Sequence, residues 1–334
     1  MNILRRSDYI LGIASLAIVA GCGGSQVPPT GGPPQSVTPA THGKSWMLPE
    51  AKGIKELLYV SDGLYDVYVY DYKTGAAVGM LSGFSRSSGQ CVDGKGDVWI
   101  ADDSSVVEYA HGGTAPLKTF STQDSVGCSV DPTTGNLAVA ESTVHAILIF
   151  KHASGYPTVY KANQRCAFEL LPPGYDDKGN LYMEAWRGHS NNVCELPHDG
   201  SKIKGPISTG TLVLGNYGTV MWDGKYITLA EQEDYNTANS AVIYQMKEDA
   251  SGGLTEVGET VLSQNCNVDV IQPFIVGTKN TPDNHTQGTT VVGTNTHCGE
   301  YETVFYWAYP SGGNPTNAFA PGAAGWGDSV SIAP

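Results

Sequence analysis

The chain has 334 residues, a formal net charge of −14 and 16% charged residues, with 41 glycines and 18 tyrosines. Such an acidic balance carries no electrostatic footprint for nucleic acid, and an anionic membrane surface would repel it. The composition fits an exported β-rich protein, and composition alone points to no reaction.

Arg5 and Arg6 precede an apolar run from Ile10 to Ala20, which has the length of an export-signal core and is too short to span a bilayer as a stable helix. The run ends in Val19-Ala20-Gly21-Cys22, which resembles the bacterial lipobox. That resemblance implies a signal peptide over residues 1–21 and acylation of Cys22 as the new N-terminus, rather than an ordinary cleaved signal or an uncleaved anchor. The expected address is the bacterial cell envelope, facing periplasm or exterior, with the lipid bilayer as a partner through Cys22. Each buried CH₂ of the acyl chains would contribute about 0.8 kcal/mol to attachment. Residues 22–45 are mainly Gly, Pro, Ser and Thr, cannot bury a core and read as a tether. Residues 46–334 contain no second linker of this kind and are expected to form one domain.

Within that domain the stretch from Cys91 to Asp102 returns 37 residues later, from Cys128 to Glu141. Each copy has a cysteine, an Asp-containing turn closed by Gly, and an alternating apolar strand ending in an acid, a β-hairpin pattern. Further copies run from Gly174 to Ala185 and from Val220 to Glu231, and each is followed by another strand, as at Val106–Tyr109 and Ala146–Phe150. Periods of about 40 residues with four strands per unit mean a β-propeller. Units at Leu57, Cys91, Cys128, Gly174, Val220 and Cys266 give an all-β, six-bladed propeller with four-stranded blades, seven being the alternative count. The first unit lacks an innermost strand, and Gly325–Ile332 matches it in type, so the C-terminal strand is expected to close the first blade.

Six cysteines remain after Cys22, and an even count in an exported chain favours disulfides over a metal or redox site, for which no C-x-x-C spacing exists. Cys91 and Cys128 hold equivalent places in adjacent blades and can pair near the axis. Cys166 with Cys194 and Cys266 with Cys298 are then the simplest remaining pairs among the 15 that six cysteines allow.

The acids Asp62, Asp102, Glu141 and Glu231 end second strands and are expected to cap backbone N–H groups of outer turns. The fourth unit breaks the row with Ala185, and its acid Glu184 lies one residue early, on the opposite face. Residues just before the innermost strands open onto the axial channel and are candidate mouth residues: Arg86, Gln90, Asp124, Arg165, Glu169, Asn216, Tyr217, Asn265, Asn267, Trp326 and Asp328. They are either a ligand site at the ring centre or solvated channel lining. Asp124, Glu169, Asn265 and Asp328 carry oxygen ligands suited to a hard cation such as Ca²⁺, although no resident cofactor is required. The histidines read as surface or turn residues, with His189 and His297 the two to examine, and no G-x-S-x-G motif is present. Polar insertions at Trp186–Val193, Glu233–Ser240 and Lys279–Gly288 are expected between second and third strands, where long loops on a rigid ring carry specificity.

Leu58-Tyr59-Val60-Ser61-Asp62, Val98-Trp99-Ile100-Ala101-Asp102 and Asp131-Pro132-Thr133-Thr134-Gly135-Asn136-Leu137-Ala138-Val139 resemble segments of the NHL-repeat and regucalcin/gluconolactonase-like six-bladed propellers. Members include lactonases in which channel Glu, Asn and Asp residues hold a divalent metal that polarises the lactone and activates water. This chain departs from that pattern, because Cys91 and Cys128 occupy the region of two blades where such ligands would stand. The expected function is therefore a lipid-anchored recognition scaffold for a protein, peptide or glycan. A metal-dependent lactonase or lyase is the alternative.

Overall fold

The computed structural model describes residues 43–186, 191–215, 218–231, 240–263, 272–277, 288–295, 303–319 and 325–334. Among these, the strands form six antiparallel sheets in chain order, each one blade. Innermost strands are Gly327–Ile332 in blade 1, Ser87–Val92 in blade 2, Ser125–Val130 in blade 3, Gly174–Tyr175 in blade 4, Gly218–Trp222 in blade 5 and Phe274–Val276 in blade 6. The C-terminal strand pairs with Glu56–Ser61 in a register from Glu56 opposite Ile332 to Ser61 opposite Gly327, closing blade 1 as expected. Trp46 and Met47 pair with Met80 and Gly79 and add a fifth strand to the outer edge of that blade.

The period-two pattern explains the packing. Alternate side chains of a strand point to opposite faces, and in a propeller both faces are covered by neighbouring blades. Val98 and Ile100 therefore pack with Leu57 and Tyr59 of blade 1, whereas Trp99 between them packs with Leu137 and Val139 of blade 3. The same division repeats around the ring, and the cluster of Leu58, Val60, Val292, Val304 and Val330 joins blades 1 and 6. The core is thus six wedges between blades. No blade retains its core alone.

The recurring turn has a local cause. Asp93 accepts the amides of Lys95 and Asp97, Asp131 that of Thr133, Asp176 those of Lys178 and Asn180, and Asp223 those of Lys225 and Tyr226. Each Asp turns the chain back by taking over amides that the ladder leaves unmatched, and Gly96, with φ of 84°, supplies the left-handed residue such a turn needs.

Two of the expected disulfides are present, one placed by the repeat and one expected as a simplest remaining pair. Cys91–Cys128 joins innermost strands of blades 2 and 3, with Cα atoms 5.5 Å apart. Cys166–Cys194 is internal to blade 4, with both residues fully buried. Cys266 and Cys298, like Cys22, lie outside the described residues, as do His189 and His297.

Two expectations are corrected. In blade 6 the innermost strand is Phe274–Val276, not a segment starting at Cys266: Ile275 and Val276 are buried and pair with Val291 and Thr290. The stretch 279–288 therefore lies between first and second strands of that blade. In blade 4 the second and third strands are Leu181–Trp186 and Asn191–Leu196, leaving only residues 187–190 between them instead of a long insertion. The alternation of Asn191 to Leu196 belongs to the ladder, because every second residue there faces the wedge with blade 5 or blade 3.

Candidate functional site at the channel mouth

The loops that lead into the innermost strands surround a cavity of about 800 Å³ on one end of the axis. Arg86, Asp103, Asp124, Glu169, Gln272 and Trp326 line it. Four candidates read from sequence, Arg86, Asp124, Glu169 and Trp326, are thus brought together. Asp103 and Gln272 were missed. Asp103 directly follows the acid that ends its strand, a weak signal, and Gln272 carries no local signal at all.

The remaining candidates stand elsewhere. Gln90 is buried in the interface between blades 1 and 2, donating to Ser61 Oγ at 2.7 Å and accepting from Ser329 Oγ at 2.7 Å. Arg165 sits in an exposed turn, where its amide donates to Asn163 Oδ1 and its carbonyl accepts Asn192 Nδ2. Asp328 is buried and turned to Thr294 rather than to the mouth. Asn216, Tyr217, Asn265 and Asn267 lie outside the described residues. Of the oxygen ligands proposed for a hard cation, Asp124 and Glu169 share the cavity, Asp328 does not, and Asn265 lies outside the described residues.

The acids at the strand ends do cap backbone amides, but mostly not in outer turns. Asp102 accepts Ser85 and Arg86 N–H at 2.6 and 2.7 Å, Glu141 accepts Gln123 N–H and Glu231 accepts Gly215 N–H. All three hold the loop leading into the innermost strand of their own blade, because in an antiparallel pair the end of the second strand adjoins the start of the first. Asp62 caps the outer turn, accepting Leu64 and Asp66 N–H. Hence these carboxylates position the mouth and do not face into it.

Arg86, held in this way, places Nη2 2.7 Å from Asp103 Oδ1 and 2.7 Å from Asp124 Oδ1. Asp124 Oδ2 in turn accepts the amide of Thr143 at 3.1 Å. The guanidinium is committed to two aspartates, across the seam between blades 2 and 3. On the neighbouring blade 1, the Trp326 ring lies against the backbone of Gly63, where any side chain would collide with it, and the residue keeps 46% of its surface exposed.

The floor of the mouth is a collar of glycine. A Cβ on Gly89 would strike Val126 O and come within 2.7 Å of Gln272 Oε1, and one on Gly327 would stand 2.6 Å from Ser88 O and 2.8 Å from Gln272 Oε1. Only residues without a side chain let these strands approach so closely around the amide of Gln272. Below the collar a second, smaller cavity of about 120 Å³ is lined by Cys91, Cys128, Phe274 and Val330, with Gln272 bordering both. The amide of Gln272 thus stands at the base of the mouth, between the two cavities.

Other ionisable groups serve the frame. Burial pushes Asp328 up to about 7 against the opposing hydrogen bonds from Thr294. Burial first, and the neighbouring charge of Glu231 second, hold the Glu184 carboxyl well above the usual range in the wedge between blades 4 and 5, where Asn191 donates to it. His111 bridges Ser331 Oγ and Ile54 O, and burial lowers its pKa. Asp93, Asp97 and Glu108 are the one three-acid group among the described residues with oxygens mutually in reach, and Lys118 Nζ stands 3.1 Å from Glu108 there.

No family model matches this chain. No curated protein matches it either. Among solved structures it is similar to a chain of the nidogen/laminin complex, with 12% identity and a TM-score of 0.56 over 83% of this chain and 98% of that one. A Bacteroides caccae protein of unknown function gives 12% identity and a TM-score of 0.58 over 83% and 99%. The β-propeller domain of Myceliophteria thermophila Cps50 (Swd1) gives 11% and 0.53 over 84% and 87%. At such identities the likeness is one of fold alone.

Proposed function

We propose that this protein is a lipid-anchored β-propeller of the bacterial envelope that binds a protein, peptide or glycan ligand in the channel mouth. The observation that carries the reading is the cavity of about 800 Å³, in which charged, amide and aromatic side chains from separate blades converge above the glycine collar. A concave site with a few fixed polar groups, set on a rigid ring, is the usual form of a binding site. The cysteine pairs at Cys91–Cys128 and Cys166–Cys194 accord with an oxidising compartment. Among the described residues no helix is long and apolar enough to cross a membrane. The lipobox-like Val19-Ala20-Gly21-Cys22 supports attachment through acylated Cys22.

Peptide and glycan arrays probed with the full-length protein test the mouth. Binding that is lost in Trp326→Ala and weakened in Glu169→Gln supports the reading, and binding indifferent to both overturns it. Metabolic labelling with a clickable fatty acid tests the anchor: label on the wild type and none on Cys22→Ser is expected, and label on both would place the lipid elsewhere.

A further inference from the structure

The mouth, if it is the binding site proposed above, has a chemistry that selects its occupant. We infer that it takes the ammonium or guanidinium group of a lysine or arginine side chain presented by a peptide. Among the described residues the lining carries one positive formal charge, Arg86, and three negative ones, Asp103, Asp124 and Glu169, a net charge of −2. Arg86 is held by both aspartates, and among the described residues Glu169 has no ion pair. An incoming cation therefore meets one uncompensated carboxylate and two that share a single guanidinium.

The base of the pocket gives an independent sign. Gln272 is 7% exposed, and its Oε1 has no hydrogen-bond partner among the described residues. In the same cavity the hydroxyl of Ser142, itself 2% exposed, also lacks one. A buried acceptor without a donor is unfavourable, and a ligand that brings several N–H groups relieves it. Pro172 in the wall has no N–H to offer, and Arg86 is engaged. Among the described residues the pocket thus presents an unpartnered amide oxygen at its base beside carboxylates in its wall. At the rim, the exposed Trp326 face suits the aliphatic stem and the charge of a basic side chain passing over it. The chain's net charge of −14 would steer such a ligand towards the protein. A neutral sugar could donate to Gln272 but would leave Glu169 unmatched, and an anion would be repelled.

The test is isothermal titration of the full-length protein with short peptides identical except at one central position: lysine, arginine, norleucine or Nε-acetyl-lysine. Lysine and arginine peptides should bind about tenfold or more tightly than the two uncharged ones, as expected for charge-assisted hydrogen bonds. That affinity should fall as salt is raised. Glu169→Gln should reduce the preference, and Gln272→Glu should increase it, provided circular dichroism shows both variants folded with melting near that of the wild type. Equal binding of all four peptides, lost in Trp326→Ala, would keep the mouth as a site and overturn the cation. Absence of binding by both basic peptides would also overturn it, while the arrays separately decide whether the mouth binds anything. Spermidine binding more tightly than either peptide would transfer the cation to a free polyamine and overturn the peptide assignment.

Discussion

Asp328 accepts the backbone N–H of Thr294 at 2.8 Å and the Thr294 hydroxyl at 3.1 Å, so the strand that closes blade 1 is also tied by a side chain to blade 6. The pair is buried, and burial outweighs these hydrogen bonds in setting the proton affinity of Asp328, raising its pKa from 3.8 to about 7. A carboxyl raised in the folded state binds its proton there more tightly than in the unfolded chain. Its stabilising contribution is then complete below pH 3.8 and is lost as pH rises to about 7, by about 1.4 kcal/mol for each pH unit crossed. Stability should therefore fall between these limits, and Glu184 adds to the same trend. Asp328→Asn, which cannot ionise, should flatten the part due to Asp328, leaving the variant close to wild type in acid and more stable than it in mild alkali. Denaturant melts of both proteins across that range check it, and parallel curves would exclude Asp328 as the source.

The glycine collar makes a sharper prediction about packing. Gly89→Ala sets a methyl group against Val126 O and the Gly127 backbone, neither of which can rotate away, so the innermost strands must separate. Overpacking of this kind costs about 1–3 kcal/mol. Gly53→Ala, with nothing within 4 Å, is the control and should be near neutral. The difference between the two in urea midpoint measures how tightly the ring is drawn around Gln272.

Removing the disulfide between blades 2 and 3 should destabilise the protein without changing its fold. Cys91 and Cys128 are 37 residues apart, for which the chain-entropy account gives roughly 4 kcal/mol. The double variant Cys91→Ala/Cys128→Ala should show a lower melting temperature and an unchanged β-sheet circular dichroism spectrum. Loss of the spectrum would mean that the cross-link is needed to assemble the ring at all.

The architecture was legible because its signals are local. An Asp, a Gly a few residues later and an alternating strand recur within each hairpin, and the missing partner of Leu57–Asp62 could be matched to the C-terminus by type. Cys91 and Cys128 were placed by the same equivalence. What escaped the sequence is set between blades. Gln272 meets Gly89 and Gly327 only because the ring closes, and Glu184 lies beside Gly218 across a wedge, so no spacing announces either. Gln90 and Asp328 were assigned to the mouth from their position ahead of or within innermost strands, but a strand there has two buried faces, and both side chains turn into an interface. Blade 6 was misread at its first strand because Phe274-Ile275-Val276 is too short to show alternation.

Arg86 separates two accounts of the mouth. If it is a structural counter-ion to Asp103 and Asp124, Arg86→Gln should change stability by less than about 1 kcal/mol, since the group is 43% exposed and such pairs contribute little. The same change would leave the described lining with three carboxylates and no cation, so a lysine peptide should bind more tightly, by about threefold to tenfold at low salt and less at high salt. If Arg86 is instead the donor that grips an anionic or neutral ligand, the substitution should weaken binding at every salt concentration. Calorimetry of the variant with lysine and norleucine peptides distinguishes these, because only the first account has the affinity rise for one peptide and stay level for the other.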